Sequence, residues 1–222
     1  MERPATPVRI YDTDEIVRLL RERIASHDLA PGSKLRENEL TKEFGVSRTA
    51  IREVFTALEL RGVIDRIPNR GAVVARLDPD EVFELYDVRE VLEALAYRLA
   101  TQNAPERTWD DLVERFRKPM QASIDDGDLE NYRTAIEELN DRMLQFVDNR
   151  FLRDMLDLIR EKTLVVARRV MILPDRLEKG LVMHRKLLEA MAAGDGAAAE
   201  RRYREIMTTA HEALRRYKDF VF

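Results

Sequence analysis

The run GVSRTAIREVFTALELRGVI, residues 45–64, together with the change of period that follows it, constrains this chain more than any other feature. Gly45 suits a left-handed helix stop, and Ser47 is a cap for a new helix two residues later. Ile51, Val54, Phe55 and Leu58 then fall at i, i+3, i+4 and i+7, which makes one apolar helical face. Gly62 ends the helix. The next runs, VIDRI and AVVARL, are rich in β-branched residues and flank Pro68-Asn69-Arg70-Gly71, so they predict a small hairpin.

The residues before this run complete a unit. YDTDEIVRLLRERIASHDL repeats Ile16, Leu19, Leu20 and Ile24 at helical spacing, with Asp12 or Thr13 as the cap. Pro31-Gly32 makes a turn, and a short helix is expected from Glu37 to Phe44. Three short helices and a hairpin are the outline of a winged helix-turn-helix. Asp78-Pro79, a cap with proline at the first helical position, marks the boundary, giving units 1–77 and 78–222.

The second unit reads as helix throughout. Six helices are expected, at 79–102, 106–124, 128–147, 149–172, 175–193 and 196–218, with GDGAAAE as a helix start. The fold class is therefore mainly α: an N-terminal winged helix-turn-helix followed by an all-α helical bundle.

Composition adds exclusions. The chain has 222 residues and no cysteine, which removes disulfides and thiol catalysis and makes the cytoplasm the expected location. The opening MERPATPVRI lacks a signal-peptide core, and no apolar run is long enough to span a membrane. The net charge of −4 is uneven: residues 1–77 hold 14 basic and 12 acidic side chains, and the remainder 24 and 30. Only the N-terminal unit is suited to meet a polyanion.

Arg48, Thr49 and Arg52 share one face of the third helix, opposite the apolar one. Alone, such a pair of arginines is a solvated face. Placed after a helix-turn and a serine cap, and before a basic hairpin tip, it reads as a recognition helix reaching the major groove.

PGSKLRENELTKEFGVSRTAIREVFTALELRGVIDRIPNRGAVV resembles the winged helix-turn-helix of GntR-type bacterial transcription regulators. The resemblance implies that Arg48, Thr49 and Arg52 contact bases and phosphates, with the capping Ser47 beside them. It also implies that Arg36 reaches the backbone and that Asn69, Arg70 and Gly71 form the wing tip. Ala50 stands where the pattern has proline, and Asn38 where many relatives have a DNA-contacting arginine.

LYDVREVLEALAYRLA, DNRFLRDML and HRKLLEAMAAGDGAAAE resemble the ligand-sensing domain of the FadR-like branch. Many members hold a divalent metal with an Asp-x3-His pair and two later histidines. In that register the four positions are Ile136, Asn140, His184 and Ile206, so the metal site reads as degenerate and no cofactor is expected. Glu137, Asp141 and His211 lie out of register.

Arg89, Asn140 and His184 each fall on an otherwise apolar helical stripe. At positions the family uses for its pocket, they point to a ligand cavity, with Arg89 as a carboxylate clamp and Asn140 and His184 orienting the ligand. Arg168 or Arg169 is a further candidate, between which periodicity does not choose. Trp109, Phe116 and Tyr132 read as core or interface residues.

The expected protein is a homodimeric regulator, a repressor, that binds a double-stranded DNA operator under control of a small carboxylate effector. Two alternatives stand beside it. In one the helical unit only dimerises; in the other it is a metal-dependent enzyme.

Overall fold

The computed structural model describes residues 11–25, 28–67, 71–76, 78–171, 173 and 176–218, the side chains of 161, 165, 168 and 169 excepted. The chain divides into two compact units, residues 1–77 and 78–222.

In the first unit, α1 (Thr13–Ala25) is followed by β1 (Lys34–Leu35), α2 (Glu37–Phe44), α3 (Arg48–Leu60), β2 (Ile64–Ile67) and β3 (Gly71–Val74). Asp12 is the cap of α1: its carboxylate accepts from the Glu15 amide at 2.7 Å. Gly45 takes the left-handed conformation (φ 67°) that closes α2 without a Cβ clash. The Ser47 hydroxyl accepts from the Ala50 amide at 3.2 Å and starts α3. Ile16, Leu20, Ile51, Val54 and Leu58 are fully buried in the shared core. Each such side chain contributes about 1.5–3 kcal/mol relative to exposure.

The sheet order is β1-β3-β2, antiparallel throughout, with Arg66 opposite Ala72 and Lys34 opposite Val73. The strand β1 was not expected: two residues are too few to show a period.

The second unit holds α4 (Pro79–Asn103), α5 (Asp110–Arg115), α6 (Lys118–Asp125), α7 (Leu129–Gln145), α8 (Arg150–Met171), α9 (Arg176–Ala192) and α10 (Gly196–Arg216). Asp78 caps α4 through the amides of Asp80 and Glu81, with Pro79 in the first turn.

The expected helix at 106–124 is instead two, and it starts late. Arg107 has φ 67°, which no right-handed helix contains. Pro119 explains the second break. Inside a continuous helix it would lack its amide donor and clash with the carbonyl of Arg115, whereas in the first turn of α6 it does neither. The carbonyls released at Phe116 and Arg117 both accept from the Arg185 guanidinium of α9.

Trp109, Phe116 and Tyr132 are buried, at 2%, 0% and 2% exposure. Among the described residues no helix is long and apolar enough to cross a membrane.

Candidate functional site

Concave sites stand out in each unit, and the helical unit holds two that share Glu137, Asn140, Thr163 and Leu164. In the first unit an open groove of about 930 Å³ runs between α2, α3 and the hairpin. Arg36, Arg48, Arg52 and Gly71 line it, joined by Lys34 and Arg66. Ser47 and Thr49 are exposed at the start of α3 beside it. Asn69 and Arg70 lie outside the described residues.

Arg36 and Arg52 are loosely held. Arg52 meets Glu37 at 3.1 Å and Arg36 meets Glu39 at 2.8 Å, and these arginines are 65% and 63% exposed. Such surface pairs are worth about 0–1 kcal/mol and exchange easily for phosphate. Among the described residues Arg48 makes no ion pair.

Arg66 was not singled out in the sequence. It donates to the Arg52 carbonyl at 3.0 Å and to the Thr56 hydroxyl at 2.8 Å, and pairs with Glu59 at 3.2 Å. Its solvent-facing place on β2 was legible, but its contact with α3 was not. The groove thus presents a helix face and a hairpin together, the shape and charge that a DNA major groove and its backbone require.

The second site is a cavity of about 120 Å³ inside the helical unit. Arg89 from α4, Asn140 from α7 and His184 from α9 all line it, so the structure brings the three residues together. Asn140 accepts from the Tyr97 hydroxyl at 2.7 Å. The Tyr97 ring stacks on Tyr203 at 4.4 Å, and the Tyr203 hydroxyl donates to Glu93.

His184 gives Nδ1–H to the Gly180 carbonyl at 2.8 Å, with the Tyr132 hydroxyl 3.1 Å from the same nitrogen. A carbonyl only accepts, so Nδ1 carries the proton and Nε2 keeps its lone pair. Burial, reinforced by the Arg176 charge, holds the His184 pKa down at about 4.

Arg89 is not free to clamp a carboxylate. Its fork is taken by Glu93, with Nε at 3.3 Å and Nη2 at 3.1 Å from the two oxygens. Its guanidinium also lies 4.8 Å from the Tyr86 ring centroid. Burial opposes its charge, but Glu93 and the tyrosines outweigh this and raise its pKa.

Among the described residues, three buried polar atoms of the cavity lining have no hydrogen-bond partner: Arg89 Nη1, Thr163 Oγ1 and Arg176 Nε. Sequence reasoning missed Thr163 and Arg176, which no pattern distinguishes from ordinary helix residues. The side chains of Arg168 and Arg169 lie outside the described residues.

Ile136 and Ile206 line this cavity with Asn140 and His184, so the four positions of the expected metal register share one wall space. Their chemistry does not fit a metal. Two isoleucines offer no donor and an amide offers no charge, which leaves His184 Nε2 as the single strong donor of the four. Glu137 pairs with Arg133, Asp141 with Arg160, and His211 packs against Phe83 and Tyr86. Among the described residues no cluster of three or more His, Cys, Asp or Glu could hold a metal ion.

Comparison with known proteins follows the same division. Residues 84–209 match the FCD domain, and residues 12–74 match bacterial regulatory proteins of the gntR family. The uncharacterized HTH-type transcriptional regulator YdhC of Bacillus subtilis (strain 168) is 30% identical over 141 residues, 62% of this chain and 62% of that protein. That match therefore spans less than two thirds of the relative's length. The HTH-type transcriptional repressor RspR of Escherichia coli (strain K12) is 26% identical over 220 residues, 97% of this chain and 92% of that one.

The solved structure of E. coli McbR/YncC shares the fold, with a TM-score of 0.77 at 21% identity over 95% of this chain and 100% of that one. Relatives of this kind are transcription regulators rather than enzymes, which sets the enzyme alternative aside. The FCD match alone spans more than half of the chain, and with the N-terminal match beside it the chain belongs to the GntR family of bacterial transcription regulators, in the branch that carries an FCD domain.

Proposed function

We propose that this chain is a cytoplasmic, homodimeric repressor whose operator affinity is set by a small organic acid bound in the helical unit. Arg48, Thr49 and Arg52 of α3 read the major groove, with Ser47, Arg36 and the hairpin tip Asn69-Arg70-Gly71 on the backbone. Paired α3 helices of a dimer meet paired half-sites. Phe151, Met155 and Leu158, at 77%, 52% and 50% exposure along α8, give the helical unit an apolar strip suited to a second copy.

The observation that carries the sensing role is the set of buried polar atoms at one cavity that have no partner among the described residues. Leaving such groups unpaired costs about 1–3 kcal/mol each, and a polar ligand removes that cost. The ligand acts by favouring one arrangement of the dimer over another.

The test is to select an operator from random-sequence DNA, then measure affinity by fluorescence anisotropy with and without a library of organic acids. An acid that changes affinity several-fold in the parent but not in the His184→Leu variant supports the reading. If no acid does so, the helical unit only dimerises.

A further inference from the structure

Among the described residues, one uncharged polar side chain lines the groove of the first unit beside its cations: Asn38, in the first turn of α2. Asn38 is exposed. Its backbone carbonyl accepts from the Thr41 hydroxyl at 3.0 Å, but among the described residues its side-chain amide has no partner.

The residues on either side of it are engaged. Glu37 takes Arg52 Nε on its two oxygens, at 3.1 and 3.3 Å, and Glu39 takes Arg36 at 2.8 Å. The first turn of α2 therefore stands beside the middle of α3, on the face that carries Arg52. Asn38 thus opens onto the same groove as the arginines, as a free fork without charge.

Chemistry separates the groups that such a fork can serve on DNA. A phosphate only accepts, so it would use Nδ2 and leave Oδ1 facing negative charge. In the major groove guanine presents two acceptors, cytosine a donor, and thymine an acceptor beside a methyl group. Adenine presents a donor, N6–H, beside an acceptor, N7, and matches both ends of the amide at once. Because the amide is neutral, its contribution to binding does not come from counterion release.

We infer that Asn38 reads adenine: Oδ1 accepts from N6–H while Nδ2 donates to N7, and this pair sets one base of each operator half-site. The inference rests on the operator-binding role proposed above and adds a base identity that the arginines, matched to guanine and phosphate, do not supply.

The experiment starts from an operator selected from random-sequence DNA with the full chain. Each base pair of the half-site is changed in turn, and anisotropy titrations at several salt concentrations compare the parent with Asn38→Ala. The parent is expected to prefer adenine at one position by roughly five- to hundredfold. Asn38→Ala loses that preference and keeps the others. Placing 7-deazaadenine there, which lacks the N7 acceptor, weakens the parent but not Asn38→Ala. The salt slope of Asn38→Ala matches the parent's, whereas Arg36→Ala lowers it by about one. Asn38→Arg moves the preference to guanine.

A uniform loss across all sequences in Asn38→Ala, or a lower salt slope, would make Asn38 a backbone contact and overturn the inference. So would an unchanged base preference, a lost preference at a G·C pair, or equal weakening of both proteins by 7-deazaadenine. Should melting curves show Asn38→Ala unfolded, the isosteric Asn38→Asp, which has no amide donor, replaces it in each comparison. A selection that enriches no sequence would remove the operator role itself, and this inference with it.

Discussion

Arg89 and Glu93 stand one turn apart on α4 and close a two-pronged ion pair, with side chains only 7% and 14% exposed. Removing one partner leaves the other charged and buried, so Arg89→Met is expected to destabilise the helical unit by about 3–5 kcal/mol. The double change Arg89→Met with Glu93→Gln should cost less than Arg89→Met alone. Urea unfolding followed by fluorescence of Trp109, the single tryptophan of the chain, checks this. A single-variant cost under about 1 kcal/mol would mean that water screens the pair.

For the groove, Arg48→Ala and Arg52→Ala should each weaken operator binding by about 1–3 kcal/mol. Both side chains are exposed, so folding stability should change by no more than about 0.5 kcal/mol. Anisotropy titrations at several salt concentrations, beside melting curves, separate the two effects. Parent-like affinity in both variants would remove α3 as the reading helix.

His184 gives a pH dependence of definite sign. Its folded pKa of about 4 lies below its ordinary 6.5, so the unfolded chain binds the proton first as pH falls. The stability it contributes is present above pH 6.5 and is lost as pH falls towards 4, by roughly 3 kcal/mol at most. Comparing melting temperatures of the parent and His184→Gln across that window isolates the effect, since the carboxylates are common to both. Parallel curves would show that His184 titrates normally.

Gly180 lies inside α9, where alanine ordinarily stabilises a helix by up to about 1 kcal/mol. Here a Cβ would come 2.8 Å from the Tyr132 hydroxyl, and Tyr132 is only 2% exposed. Gly180→Ala should therefore destabilise, by about 1–3 kcal/mol. Adding Tyr132→Phe removes the obstructing oxygen and should restore much of the loss. No rescue in the double variant would place the strain elsewhere.

How far the sequence reached depended on the range of the forces involved. Gly45, Ser47 and Asp78 act on the next few residues, so the ends of α2, α3 and α4 were legible from local chemistry. Pro119 also acts locally, but its message was ambiguous: it tolerates a first turn as readily as it breaks an interior. The polar side chains of Arg89, Asn140 and His184 were readable as departures from apolar stripes.

Other features depend on tertiary neighbours. Arg89 and Glu93 have the i, i+4 spacing of an ion pair, yet spacing does not say that burial would make the pair exclusive. Arg176 matters because no carboxylate comes near it among the described residues, and no periodicity encodes the absence of a neighbour. Arg66 belongs to the same class, its value lying in a helix fourteen residues away.

The hold of Arg66 on the middle of α3 has an entropic consequence. With its guanidinium on the Arg52 carbonyl and the Thr56 hydroxyl, β2 is fastened to α3 before any partner arrives. Much of the ordering that a free hairpin would undergo on contact is already complete, so less binding energy is spent on assembling the reading surface. Loosening that one side chain would weaken association through disorder in the unbound protein, with every base contact left intact.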